Sequence, residues 1–304
     1  MWPCSSRGRG TINHLRCSCT WQAHEPFILF GFMVDNRKNL RMIINNMEEK
    51  RYPLSVVTMT KNSSEKIIDC IESVKWCDDI VIVDDLSKDN TLELVRNYTN
   101  NIHQRKWENE GIQRNFAYSK AKNEYILSLD SDERVTPELR DEIIALIEAG
   151  FTYNGYNIPH RNYMGTRWIQ YGGWYPNAKL KLFKKSEFKY AEEEYHPPAI
   201  MEGDRLTLSA EIIHLAYRDI ADMVSKLNHQ TNFEARKWFR DKRKMSLARA
   251  IRKTIDRFLK AFILKQGFRD GFLGFMMAGL GGFYQILSYA KLVELKDRKD
   301  DESR

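Results

Sequence analysis

The 304-residue sequence predicts an α/β fold: a mostly parallel, doubly wound sheet followed by a helical C-terminal region. Three observations carry this. Short β-branched runs at 54–60, 80–83 and 125–129 alternate with segments of helical periodicity, the pattern of strands buried between helix layers. The second and third runs end directly on acids, Asp84-Asp85 and Asp130-Ser131-Asp132. After residue 218 the strand signals stop, and the chain turns first basic and then apolar.

The elements follow in order. Residues 54–60 (LSVVTMT) read as a buried strand. Ser63 and Ser64 are candidate caps for a helix whose apolar face is Ile67, Ile68, Ile71 and Val74. The IVIV run at 80–83 is a second strand, and a helix from about Asn90 carries Leu92, Val95 and Tyr98. A third helix over 111–122 feeds the strand 125–129. Thr136-Pro137-Glu138 opens another helix, with Thr at the cap and Pro in the first turn. Beyond Gly150 come strand-like runs at 155–160, 179–183 and 206–215, separated by loops rich in Trp, Tyr, Gly and Pro. The expected organisation is an N-terminal extension over 1–49, disordered or outside the native chain, an α/β domain over 50–218, and a helical, membrane-associating region over 219–304. The second start expected is near Met42 or Met47.

Composition excludes several classes. With 42% hydrophobic and 29% charged residues the chain buries a core, so a wholly disordered or fibrous protein is ruled out. The five cysteines form no C-x-x-C pair, which fits neither a disulfide scaffold nor a four-thiolate zinc site. The net charge of +7 is uneven: residues 236–269 hold 13 Lys/Arg and two acids, leaving −4 on the remaining 270. A uniformly basic chain would suggest nucleic acid. Here the basic helical stretch adjoins the uncharged 20 residues 271–290, so an anionic membrane surface is the expected partner and nucleic acid is not. Those 20 residues contain five glycines with Gln285 and Ser288, a composition that favours interfacial helices over a clean crossing.

In open parallel sheets, ligands bind beyond the carboxyl ends of the strands. Thr60-Lys61-Asn62, Asp84-Asp85 and Asp130-Ser131-Asp132-Glu133 stand there. The chain has neither G-x-G-x-x-G nor G-x-x-x-x-G-K-[ST], which argues against dinucleotide and P-loop chemistry. Carboxylates at neighbouring strand ends suit a hard divalent cation that in turn holds a diphosphate, and a cation relieves their mutual repulsion. A D-x-D alone is a weak signal; its position directly after a buried strand strengthens it.

The order TKN, VDDLSKDNT, QRNFA, LSLDSDERV resembles the nucleotide-sugar-binding half of family 2 glycosyltransferases with the GT-A fold. The later run PHRNYMGTRWIQYGGWYPNAKLKLFKK, with HLAYRD and FLKAFILKQGFRDGFLGF, is similar to the lipopolysaccharide core β-1,4-glucosyltransferases. The resemblance spans roughly residues 54–295. It implies that Thr60, Asn62, and Asp84 or Asp85 bind the nucleoside of a UDP-sugar, that Asp130 reaches the ribose or donor sugar, and that Asp132 ligates Mg²⁺ or Mn²⁺ together with Asp130. Arg114 would lie near the phosphates, although a structural ion pair serves it equally well. Leu86 stands where the family often has Gly, and Ser63 where Glu often follows the Asn.

An inverting transfer also wants a base near the acceptor hydroxyl. Glu192-Glu193-Glu194-Tyr195-His196 resembles the family's acidic run, with Pro197 replacing its final Glu. Glu193 or Glu194 is the expected base and His196 its positioner or substitute, a solvated acidic loop being the alternative. His214 would complete the metal site or sit as a satisfied core residue. Trp168, Trp174 and Tyr175 offer flat faces to sugars, and Arg161 offers a fork for acceptor phosphates. The resulting expectation is a metal-dependent inverting transferase. It would move a hexose, glucose by resemblance, from a UDP-sugar to a lipid-linked saccharide at the inner face of the cytoplasmic membrane. A polyprenyl-phosphate or exopolysaccharide transferase is the enzymatic alternative, and a basic membrane- or nucleic-acid-binding protein the non-enzymatic one.

Overall fold

The computed structural model describes residues 50–193 and 197–302. The expectations for residues 1–49, Glu194 and His196 lie outside the described residues. Residues from Arg51 onward form one compact unit. Its first half runs β1 (Tyr52–Thr60), α1 (Ile67–Glu72), β2 (Cys77–Asp84), α2 (Thr91–Val95), β3 (Ile102–Gln104), α3 (Glu110–Ser119), β4 (Tyr125–Ser128), β5 (Glu133–Val135) and α4 (Pro137–Ala149). Then come β6 (Gly155–Ile158), β7 (His160–Met164), β8 (Arg167–Trp168), β9 (Lys179–Lys184), β10 (Phe188–Tyr190), β11 (Ala199–Met201), β12 (Arg205–Thr207) and β13 (Ile212–Tyr217). Three long helices close the chain: α5 (Ile220–Arg240), α6 (Leu247–Leu259) and α7 (Gly271–Glu302).

The main sheet has the order β12-β6-β9-β4-β1-β2-β3. β1 pairs in parallel with β2 and β4, and β2 with β3, so three acidic or polar strand ends emerge on one edge. β9 runs antiparallel to both β4 and β6, a reversal that periodicity alone does not encode. A second sheet, β5-β13-β7-β8, stands beside it, and β10-β11 forms a small ribbon. The alternation along β1 fills two cores. Leu54 and Val56 pack with Ile71, Leu139 and Ile143 on one face, and Val57 with Ala117, Tyr118 and Phe183 on the other.

The Thr136 cap forms as expected: its hydroxyl accepts from Leu139 N–H at 3.2 Å and donates to the Glu211 carbonyl. The caps expected at Ser63 and Ser64 do not form; α1 starts at Ile67 after Lys66, because the Ser63 carbonyl closes a turn with Lys66 N–H and Ile67 N–H. The run 206–215 is not one strand. The Glu142 carboxylate accepts from Ser209 and Ala210 N–H, turning the chain between β12 in the main sheet and β13 in the second. Residues 271–290 likewise lie in one continuous helix, α7, with a buried face of Leu273, Met277, Ala278, Gln285 and Ser288. Gly282 permits its close approach to α6, since a Cβ there would stand 2.8 Å from the Thr254 carbonyl.

Candidate active site

The carboxyl ends of β1, β2 and β4 open onto a cavity of about 800 Å³ walled by Thr60, Lys61, Asp85, Trp107, Gln113 and Asp130. Of the two acids after β2, Asp85 faces this cavity. Its carboxylate accepts from Trp107 N–H at 2.7 Å and pairs with Lys61 Nζ at 2.6 Å. Asp84 is instead spent on the loop, accepting from the Ser87 backbone and hydroxyl and from Gln104 Nε2. Leu86, where Gly was the common residue, has φ +51°, so the loop keeps the left-handed backbone that a glycine would favour. Asn62 is also left-handed, at φ +46°, and locks this loop. Its N–H donates to Ser87 Oγ, and its Oδ1 accepts from Lys88 N–H.

Two buried polar atoms in the cavity wall, Thr60 Oγ1 and Gln113 Oε1, have no hydrogen-bond partner. Such groups cost free energy until a ligand or water satisfies them. Gln113 was not singled out in the sequence, although it begins the QRN motif. The structure divides that motif into three tasks. Gln113 faces the cavity, Arg114 reaches Glu110 at 3.0 Å and Asp130 at 3.5 Å, and Asn115 clamps the Tyr190 backbone with two bonds. His229 and Phe233 of α5 complete the wall, a contribution that no local signal in a basic helix announces.

Behind Asp130 lies a charged cluster. Lys181, buried on β9, donates to Asp130 at 3.0 Å and to Glu133 at 2.6 Å, while His160 Nε2 meets Glu133 at 3.1 Å. Burial pushes the Asp130 and Glu133 carboxyls up, but the Lys181 ammonium together with Arg114 at Asp130, and with His160 and His214 at Glu133, outweighs it. Both end below the usual carboxylate range, Glu133 well below. Lys181 sits in the sequence as one more basic residue of KLKLFKK. Only the pairing of β9 with β4 brings it to the acids.

Asp132 stands apart from this cluster. Burial first, then Asp130 and Glu133, raise its carboxyl to about 6. Its nearest partner is His214, whose Nε2 lies 3.7 Å from Oδ1. Burial pulls His214 down to about 4, so it is neutral. Its tautomer follows from Asn162: that side chain gives its NH₂ to the Trp174 and His160 carbonyls, so its Oδ1 accepts from His214 Nδ1 at 2.8 Å. Nε2 therefore carries a lone pair aimed at a second oxygen donor. A hard divalent cation fits between an unrelieved carboxylate and a fixed neutral imidazole. Asp130, expected to share that cation, is committed to Lys181 and Arg114. Among the described residues no three acidic, His or Cys side chains converge as a metal cluster.

The remaining expected residues divide. The Glu193 carbonyl accepts from Gly111 N–H at 3.2 Å and its carboxylate pairs with Lys237 of α5 at 2.9 Å. A second cavity, about 550 Å³, is lined by Tyr171, Gly173, Tyr175, Asn177 and Lys265. Tyr175 is in its wall; Arg161, Trp168 and Trp174 are not. Arg161 is paired with Glu211 and lies over the Trp168 ring at 4.9 Å, and Trp174 packs edge-on to Tyr217 at 5.9 Å.

The Glycosyl transferase family 2 model matches residues 55–201. An uncharacterized glycosyltransferase of Rickettsia bellii is 29% identical over 258 residues, covering 80% of this chain and 86% of that protein. The lipopolysaccharide core biosynthesis glycosyltransferase LpsC of Rhizobium meliloti is 24% identical over 255 residues, covering 80% and 93%. Among solved structures, S. aureus TarS 1-349 in complex with UDP aligns with a TM-score of 0.43 at 18% identity, covering 78% of this chain and 91% of that one. The acid-ended parallel strands lie inside the matched segment, so residues 55–201 form a glycosyltransferase family 2 domain, and the relatives that span most of the chain are named glycosyltransferases.

Proposed function

We propose that the enzyme transfers a hexose, glucose on the resemblance of its aromatic run, from a UDP-sugar to a lipid-linked saccharide such as the lipopolysaccharide inner core. It would invert the anomeric centre and work peripherally on the cytoplasmic face of the cytoplasmic membrane. The name of LpsC supports the acceptor class. The observation that carries the reading is the Asp132–His214 pair, two residues beyond the acid in the cavity wall.

In this reading Asp132 and His214 Nε2 would hold Mg²⁺ or Mn²⁺, which when bound supplies Lewis-acid stabilisation to the leaving diphosphate. Thr60 Oγ1 and Gln113 Oε1 are the unspent groups for the nucleoside, and Trp107 and Phe233 offer ring faces to its base. Lys181 and Arg114 keep Asp130 ionised to accept from a donor hydroxyl. Glu193, whose backbone is fixed at the start of α3, would take the proton of the acceptor hydroxyl. A hydrolysis and transfer screen over UDP-, GDP- and TDP-sugars with and without Mn²⁺ tests the reading. UDP-hexose turnover that requires the metal is expected; equal turnover in chelator, or preference for a GDP-sugar, would overturn it.

A further inference from the structure

The outer flank of α6 and of the π-helical turn Lys260–Leu264 that continues it carries an apolar row that the protein leaves in solvent. Leu247, Ile251, Ile255, Leu259 and Ile263 recur every four residues, and each is 42–53% exposed. Beyond them Leu264 and Phe272 are 77% and 75% exposed. The opposite flank of α6 is satisfied, because Phe258 and Phe262 pack on Phe275 of α7. Single exposed apolar side chains need no explanation, but a continuous row of this length does. Arg252 and Lys260 stand one turn from Ile255 and Ile263 of this row, and Arg249 and Lys253 lie farther round on the polar side. Lys253 is held below the usual lysine range by partial burial and by Arg243, Arg257, Arg249 and Arg252 around it. The cations are crowded enough to repel, and a surface of anions would relieve them.

We propose that this corner seats the enzyme on an anionic bilayer. α6 lies in the interface plane, its Leu247-to-Ile263 row sinks below the headgroups, and the bordering Arg and Lys meet the lipid phosphates. A row of large aliphatic side chains beside cations fits lipid better than nucleic acid, which offers phosphates but no apolar layer. α7 is long and apolar enough to cross a membrane by composition. It does not cross, because its Leu273, Met277, Gln285, Ser288 and Leu292 are buried within the protein, and lipid exposure would uncover two of those as polar groups. The seat also has a place in the reaction. Lys265 directly follows the exposed Leu264 and lines the 550 Å³ cavity, and its carbonyl accepts from Gly172 N–H at 2.9 Å. The aromatic loop is therefore fastened to the end of the seat, which would bring that cavity to the level where a lipid-linked saccharide is presented. This inference deepens the acceptor class proposed above and rests on that reading only for the cavity's occupant; membrane binding itself needs no catalysis.

The full-length protein is tested on vesicles of neutral lipid and of neutral lipid mixed with anionic phosphatidylglycerol. Wild type is expected to co-sediment with the anionic vesicles and to be released by alkaline carbonate. Ile255→Asp/Leu259→Asp is expected to lose that binding at least about tenfold, the scale of the buried area forfeited, with unchanged helical circular dichroism and unchanged donor hydrolysis in solution. Reversal of Arg249 and Arg252 to Glu gives a second, surface-only variant expected to weaken anionic binding alone. Binding that survives both variants overturns the seat, as does resistance to carbonate, which would mean that α7 spans. Wild type that ignores vesicles but forms a dimer broken by Ile255→Asp/Leu259→Asp, or that binds RNA instead, overturns it in favour of another occupant. A protein that binds vesicles but turns over no UDP-sugar would refute the donor reading and leave the seat standing.

Discussion

His214 Nε2 and Asp132 Oδ1 face each other across 3.7 Å, the imidazole neutral and the carboxyl raised to about 6. Each presents a lone pair, so the contact is a poor one for the protein alone and a good one for a cation between them. Asn162 enforces it, since its amide is fixed by the Trp174 and His160 carbonyls before its oxygen meets His214. The same side chain thus joins the aromatic loop to the proposed metal site.

Asp132→Asn is expected to lower transfer by more than about tenfold, a cost above ~1.4 kcal/mol in the transition state. Its effect on stability has the opposite sign. Because the folded value is raised above the ordinary 3.8, stability present below about pH 4 is lost as pH rises through about 6. Metal-free Asp132→Asn should therefore melt higher than wild type at pH 7.5, and the difference should vanish near pH 4. Adding Mn²⁺ with UDP should raise the wild-type melting temperature only. A wild type more stable than the variant in chelator at pH 7.5 would refute the assignment.

Asn162→Leu should weaken Mn²⁺ binding by about 10–100-fold, since it frees the tautomer of His214. The readout is the metal concentration for half-maximal turnover, with kcat at saturating metal recovering in part. An unchanged metal requirement would show that Asn162 serves packing alone.

Lys181→Met leaves Glu133 buried without its ammonium, while Asp130 keeps only Arg114. Removing one partner of a buried pair costs about 3–5 kcal/mol, measurable by urea unfolding. Adding Glu133→Gln should recover part of the loss; strict additivity would mean that the two side chains do not interact.

Thr60→Val tests the donor cavity without disturbing the apo fold, because the Thr60 hydroxyl has no partner there. Stability should hold or rise slightly. The KM for donor should increase by about five- to tenfold, the worth of one hydrogen bond at ~1 kcal/mol. A KM that does not move would place the nucleoside elsewhere.

Much of this protein is local and was therefore readable from its residues. β-Branched runs gave β1, β2 and β4, Thr136-Pro137 gave the start of α4, and the acids after two buried strands gave the rim of the cavity. These features depend on neighbours within a few positions, where propensity and spacing act. What only the tertiary structure decided is which charges meet. Strand reversal at β9 carries Lys181 to Asp130 and Glu133; β13 beside β7 brings His214 to Asn162; and α5 folds back so that His229 and Phe233 close the cavity. The same holds for α6, whose composition announced only charge. Its apolar row became legible once α7 covered one flank and left the other bare, because exposure is a property of what packs against a residue and not of the residue itself.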